Sequence, residues 1–149
     1  MRRASILIAG MAIAAVTAVA GCGDSDSNPQ ADAVTQTYNT YIEAVKSRNG
    51  ELACRQLTPA YARKAGRQVP PSKQAELRGA SCPKVIRVGT PAVLKKFEPN
   101  LTEVEIKGDR ASGFDPGEGI FAPQKILFRR LGGEWKIAGT IAANGKLVS

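Results

Sequence analysis

The sequence contains no histidine, only three cysteines and few aromatic residues, which make up 5% of its 149 positions. The absence of histidine excludes His-based acid–base catalysis, Ser-His-Asp and Cys-His nucleophiles, and the commonest zinc sites. Acidic residues are also scarce, 13 against 21 Lys plus Arg, so the formal net charge is +8. The chain is long enough to bury one hydrophobic core and too short for two. We expect a single domain, with no metal and no cofactor.

Residues 1–21 have the pattern of a targeting segment. A short basic start, Met1-Arg2-Arg3, precedes an uncharged apolar run from Ala4 to Ala20. This is the layout of a secretory signal peptide, and the run lies at the lower limit of the length that spans a membrane. We therefore predict export rather than a permanent membrane helix.

The end of this segment carries a lipidation motif. Val19-Ala20-Gly21-Cys22 resembles the bacterial lipoprotein box, which implies cleavage after Gly21 and a diacylglyceryl group on the Cys22 sulfur. Two acyl chains anchor a protein stably where a single chain is marginal. The alternative is an ordinary signal peptide with a fortuitous cysteine. We expect acylated Cys22 to hold the protein on the extracytoplasmic face of the cell membrane.

Residues 22–30 are polar and are interpreted as a flexible tether to a domain at 31–149. The alternating oxygens from Asp24 onward resemble the start of a calcium loop. However, Pro29 stands where such a loop needs Gly, and Thr35 stands where it needs Glu.

Cys54 and Cys82 remain as an even pair in an exported chain, where disulfides form and persist. We expect a structural disulfide between them. The alternatives are two buried thiols or a redox-active pair, although the close Cys-x-x-Cys spacing typical of redox pairs is absent.

The first half of the domain has helical periodicity. Apolar residues of 31–48 recur on one face of a helix, and Gly50 is expected to end it. Shorter helices are predicted at 51–57, at 60–66 after a Thr58 cap, and at 73–80 after a Ser72 cap. Residues 83–97 fit either short helices or a strand, and we favour helices. The face of the first helix consists of Val34, Tyr38, Tyr41, Ile42 and Val45.

From Leu101 the period changes to two, which predicts strands at 102–107, 110–115 and 124–131 and a final strand from Trp135. Trp135, Ile137, Gly139 and Ile141 are expected to share one face of the last strand. Helices followed by an antiparallel meander predict an α+β fold.

Several short motifs carry a family resemblance. They are Ser47-Arg48-Asn49-Gly50, Ala53-Cys54-Arg55-Gln56-Leu57-Thr58-Pro59, a second cysteine, and Gly133-Glu134-Trp135-Lys136-Ile137 before the end. The pattern is similar to small actinobacterial lipoproteins with a nuclear transport factor 2-like fold, or cystatin-like cone. The resemblance implies a curved sheet around the first helix and a cone-shaped cavity, with an extra strand or hairpin near residues 84–97. Tyr38, Tyr41 and Trp135 are the expected cavity-lining residues.

Enzymes of the ketosteroid-isomerase-like group on this fold use a carboxylate base with Tyr or acid donors inside the cone. Tyr38 and Tyr41 are expected to pack in the core with their hydroxyls at the rim. Glu103 and Glu105 should face water, and Asp115 should stabilise a turn. No residue matches a catalytic motif of the family, so we expect a non-enzymatic protein. The candidates considered are Tyr38, Tyr41, Tyr61, Glu103, Glu105 and Asp115.

The expected function is a lipid-anchored module that binds an envelope partner, protein or small apolar ligand through the cone. The alternatives are a ketosteroid-isomerase-like enzyme or a purely electrostatic envelope component. Basic pairs occur at 63–64, 95–96 and 129–130, and they could bind an anionic lipid or wall polymer. The simpler interpretation is that these pairs lie on ordinary solvent-exposed faces. Without interleaved aromatic residues, nucleic acid is not an expected partner.

Overall fold

The computed structural model describes residues 28–64, 71–118, 122–142 and 144–148. The predicted leader, the predicted lipidation site Cys22 and the predicted tether up to residue 27 lie outside the described residues. Within the described ranges, no helix is both long enough and apolar enough to cross a membrane.

In the described part of the chain, helices come first and an antiparallel sheet follows, which confirms the α+β prediction. The helices are α1 Pro29–Lys46, α2 Gly50–Arg55, α3 Pro59–Lys64, α4 Pro71–Leu77, α5 Cys82–Gly89 and a 3₁₀ helix, Ala92–Lys96. The strands are β1 Thr102–Lys107, β2 Arg110–Asp115, β3 Gln124–Leu131, β4 Glu134–Ala142 and β5 Leu147–Val148. They lie in the order β1-β2-β3-β4-β5.

Helix α1 begins earlier than the periodicity predicted, inside the segment assigned to the tether. The Gln30 N–H donates to the side chain of Asn28 at 3.0 Å, and Pro29 occupies the first helical position. A polar cap followed by proline is a favourable helix start, because the proline lacks an N–H that would go unpaired there. Helix α1 therefore begins at Pro29, with Asn28 as its cap.

The prediction that Gly50 ends the first helix is wrong. The chain turns at Arg48, which adopts φ 57°, and Gly50 is the first residue of α2. Gly50 is buried, and a Cβ at this position would overlap the carbonyl oxygen of Pro83. The glycine is needed because α2 and α5 pack closely at this point.

A disulfide joins α2 to α5 through Cys54 and Cys82, as predicted. The preference for helices over residues 83–97 is also confirmed. The extra strand expected near 84–97 is wrong, because Val85 and Ile86 pack one face of α5 against α4 and α2. The fifth strand is instead β5, which pairs with the end of β4.

The connections around α3 and α4 differ in how well they were predicted. Thr58 caps α3, since its Oγ1 accepts a hydrogen bond from the Tyr61 N–H at 3.3 Å. Helix α4 was predicted at 73–80, but it begins at Pro71 and ends at Leu77, before Gly79 with φ 73°.

A bulge in β4 changes which side chains face the core. Leu127 pairs with Gly139 and Phe128 pairs with Ile137, so one extra residue of β4 lies between these pairs. Because directly paired residues share a face of the sheet, Ile141 lies beside the exposed Lys125 rather than in the core. The prediction of a single face from Trp135 to Ile141 is therefore correct only as far as the bulge.

The main core lies between α1 and the inner face of the sheet. The segment before α3 closes one side, since the Thr58 N–H donates to the Ile137 carbonyl at 2.8 Å. The buried members are Val34, Tyr38, Ile42, Leu57, Tyr61, Phe97, Ala111, Ile126, Phe128, Trp135 and Ile137.

Candidate functional site

The three side chains expected to line one cavity lie in three different environments. Tyr38 is 1% exposed and packed in the core beneath α1, between α1 and the sheet. Tyr41 lines an apolar cleft on one side of α1, and Trp135 borders a polar cleft on the other. The candidate sites are therefore these two clefts and a polar pair inside the core, formed by Tyr38 and Asp115.

Tyr38 and Asp115 form that buried pair. The Tyr38 hydroxyl donates to Asp115 Oδ2, while the Gly117 N–H donates to Asp115 Oδ1 at 2.8 Å. Burial, followed by the nearby Asp115 carboxylate, raises the pKa of Tyr38, so the phenol stays neutral. The predicted turn contact of Asp115 is confirmed, but the expected position of the Tyr38 hydroxyl at the rim is wrong.

The two-residue alternation along β2 could have predicted that Asp115 is buried. Ala111 and Gly113 are buried, and Asp115 continues the same two-residue alternation along β2. It is the only buried acidic residue among those that the structure describes. Asp115 is only 1% exposed and lines neither cleft.

The apolar cleft lies between α1, α3, α5 and the 3₁₀ helix and has a volume of about 130 Å³. We call it the Tyr41 cleft; its lining is Tyr41, Val45, Leu57, Tyr61, Val85, Ile86, Gly89, Thr90, Pro91 and Leu94. An engineered apolar cavity of about 150 Å³ holds benzene, so a cleft of this size suits a small ring or a short chain.

The polar side chains of the Tyr41 cleft are two tyrosines and Thr90, whose hydroxyl donates to the Ile86 carbonyl. The Tyr61 hydroxyl lies 3.2 Å from Thr140 Oγ1 and shares a hydrogen bond with it. The Tyr41 hydroxyl makes no hydrogen bond to any residue that the structure describes. Burial, with a smaller contribution from Tyr61, raises the pKa of Tyr41, so this phenol is a neutral hydrogen-bond donor.

The polar cleft has a larger volume, about 540 Å³, but its polar and charged lining is less suited to an apolar molecule. Its lining includes Arg55, Gln36 and the Lys136–Glu134 ion pair, in which the Nζ–Oε2 distance is 2.7 Å. Trp135 is only 5% exposed, and its carbonyl oxygen accepts from Thr37 Oγ1 at 3.4 Å. The indole ring is therefore not an open stacking surface.

The remaining candidates lie away from both clefts. Glu103 and Glu105 are exposed on β1, as predicted. Across the described residues there is no group of three or more Cys, Asp or Glu placed to hold a metal ion.

The comparison with solved structures identifies the fold. A nuclear transport factor 2-like protein of unknown function from Shewanella baltica matches with a TM-score of 0.50 and 13% identity, over 79% of this chain and 95% of that one. A phospholipid-binding protein from Ralstonia solanacearum, solved with a phospholipid, matches with a TM-score of 0.43 and 11% identity, over 78% of this chain and 79% of that one. No protein-family model matches the chain, and no curated protein matches its sequence.

The chain therefore has a nuclear transport factor 2-like α+β fold, in agreement with the resemblance read from its motifs. At such low identity the similarity establishes the fold alone. Function depends on the residues of a site rather than on the fold, and in this chain those residues are in the clefts, the charged surfaces and the terminal segment.

Proposed function

We propose that this protein is a lipid-anchored, extracytoplasmic, non-enzymatic module that binds a small apolar ligand in the Tyr41 cleft. The observation that carries the ligand proposal is the Tyr41 hydroxyl, a neutral donor in an apolar cleft with no hydrogen bond to a described residue. No buried side-chain polar atom of the described residues lacks a partner, so this hydroxyl is accessible from the cleft, and a ligand with one acceptor atom would accept a hydrogen bond from it.

The anchoring proposal rests on the lipoprotein box at Cys22 and on two supporting features. The Cys54–Cys82 disulfide suits an oxidising compartment outside the cytoplasm. Helix α1 begins at Pro29, so only a short polar stretch of sequence lies between Cys22 and this helix. We predict that intact-mass analysis of the protein from native membranes finds a leaderless chain with diacylglycerol on Cys22. An unmodified Cys22 or a retained leader would contradict this prediction.

The non-enzymatic proposal follows from where the acidic groups lie. A general base must come within hydrogen-bond reach of the proton that it abstracts. Asp115 is enclosed by core side chains and already accepts from Tyr38 and Gly117, while Glu103 and Glu105 are on the outside of the fold. Among the residues that the structure describes, none with a carboxylate lines the Tyr41 cleft, so a ketosteroid-isomerase-like mechanism has no base there.

We predict that the cleft binds cyclohexanone more tightly than methylcyclohexane, which has a similar shape but no acceptor. A Tyr41→Phe substitution should weaken cyclohexanone binding about threefold to tenfold and leave methylcyclohexane unchanged, because it removes one hydrogen bond. Binding is measured by NMR titration of residues around the cleft.

Two matched substitutions on the 3₁₀ helix serve as controls. Leu94→Trp fills the cleft and should abolish binding of both probes, whereas Val93→Trp places the same ring on a neighbouring exposed position and should not. Absence of binding to the unmodified protein, or equal binding to the Leu94→Trp protein, would overturn the ligand proposal.

A further inference from the structure

Four basic side chains form a row across the outer face of the sheet. Lys107 of β1 pairs with Arg110 of β2, Arg110 pairs with Arg129 of β3, and Arg129 pairs with Lys136 of β4. Directly paired residues of antiparallel strands share one face, and neighbouring strands are about 4.8 Å apart. The backbones of the two outermost residues of the row, Lys107 and Lys136, are therefore about 15 Å apart. We call these four residues the basic row.

This arrangement is unfavourable for the isolated domain, because like charges directly opposite each other destabilise a sheet. Two members are partly compensated at the strand ends. Arg129 Nε lies 3.6 Å from Asp109 Oδ2, and Lys136 is paired with Glu134. Lys107 and Arg110 make no ion pair with any residue in the described ranges. The basic row thus presents uncompensated positive charge next to the turn that joins β1 to β2.

Apolar side chains border the basic row on the same face. In the row of paired residues next to the basic row, Ser112 of β2 pairs with Leu127 of β3 and with the acidic Glu105 of β1. In the row after that, Lys125 of β3 pairs with Phe114 of β2 and with Ile141 of β4. A shallow depression of about 340 Å³ lies between these rows, and its lining includes Lys107, Arg110, Lys125, Leu127 and Ile141. Half-buried apolar groups thus lie beside exposed cations.

We propose that the outer face of the sheet is a docking surface for an anionic phospholipid bilayer. Basic side chains next to an anionic bilayer attract its headgroups, and adjacent apolar side chains add contact with the acyl boundary. A second copy of the chain is a poor occupant, since two basic rows would face each other. The inference rests in part on the proposed lipid anchor: from Cys22 to Asn28 an extended chain spans at most about 20 Å, which keeps the domain at the membrane.

The test uses a chain that begins at Gly23, which retains every described helix, strand and core cluster but cannot be acylated at Cys22. Its binding is measured by co-sedimentation with vesicles of mixed phosphatidylglycerol and phosphatidylcholine, and with vesicles of phosphatidylcholine alone. We expect binding to the anionic vesicles only, and a steep loss of that binding as salt increases. Because acylation plays no part in this assay, a failed anchor and a failed docking surface are distinguished.

The decisive comparison is between two double variants with the same loss of charge. Lys107→Gln with Arg110→Gln should weaken binding to anionic vesicles roughly tenfold to thirtyfold, since each basic residue near such a surface contributes about a factor of five. Lys95→Gln with Lys96→Gln removes two exposed charges from the 3₁₀ helix, which packs near α1, and should have little effect. The first variant should unfold at the same temperature as the unmodified protein or a higher one, because it relieves repulsion.

Three outcomes would overturn the proposal. The first is no binding to anionic vesicles, and the second is an equal loss in both double variants, which would mean that only net charge matters. The third is binding to soluble polyphosphate that depends on Lys107 and Arg110 without any binding to vesicles, which would assign the face to a polymer instead.

Discussion

Removal of the disulfide should be the most destabilising change available outside the main core. Replacing both Cys54 and Cys82 by serine is expected to lower the free energy of unfolding by roughly 3 to 4 kcal/mol, because the unfolded chain then gains the freedom of an open 28-residue loop. Such a loss is a large share of the stability of a small domain. The helices between the two cysteines depend on this link, since α2 and α5 meet at the ends of the loop.

Urea unfolding followed by circular dichroism measures this loss. A reducing agent should lower the stability of the unmodified protein by a similar amount and leave the double variant unchanged, which provides the control. If the double variant were as stable as the oxidised protein, the close packing of Gly50 against Pro83 alone would hold the two helices together. That result would contradict the prediction.

The second large effect is expected at the buried Tyr38–Asp115 pair. Tyr38→Phe should cost roughly 2 to 4 kcal/mol of unfolding free energy, because among the described residues it leaves the buried carboxylate with only the Gly117 N–H as a partner. Asp115→Asn added to Tyr38→Phe should recover part of the loss, since it removes the uncompensated charge. A cost below about 1 kcal/mol for Tyr38→Phe would mean that this hydrogen bond contributes little.

The same pair also affects stability at alkaline pH. The pKa of Tyr38 is raised in the folded state, whereas the phenol of the unfolded chain ionises near its usual value of 10.0. The stabilisation is therefore fully present below pH 10 and is lost as pH rises above it. In the Tyr38→Phe variant the decline above pH 10 should be less steep, and unfolding measured over this range provides a second readout.

Local patterns predicted most of the elements correctly. The apolar spacing of Val34, Tyr38 and Ile42 and the alternation around Val104 and Ile106 are properties of neighbouring residues, so they can be recognised without the tertiary structure. Errors appeared where distant segments meet. Gly50 looks like a helix terminator in the sequence, yet its role is the close approach of Pro83, which lies far along the chain.

The site was less predictable than the fold. Tyr38, Tyr41 and Trp135 were grouped together because each belongs to the apolar face of its element, but packing separated them into the core and two clefts. The basic row was missed because Lys107, Arg110, Arg129 and Lys136 are scattered through the sequence. Only strand register aligns them.

By itself, the sequence determined the order of helices before strands and the cysteine pair, and it predicts export and lipidation at Cys22, since all of these depend on residue type and short-range spacing. The tertiary structure alone decided that Tyr38 is the partner of Asp115, that the β4 bulge turns Ile141 outward, and that four cations share one row. The reason is physical: these features depend on which strand pairs with which and in what register, and that choice minimises the free energy of the whole core rather than of any single segment.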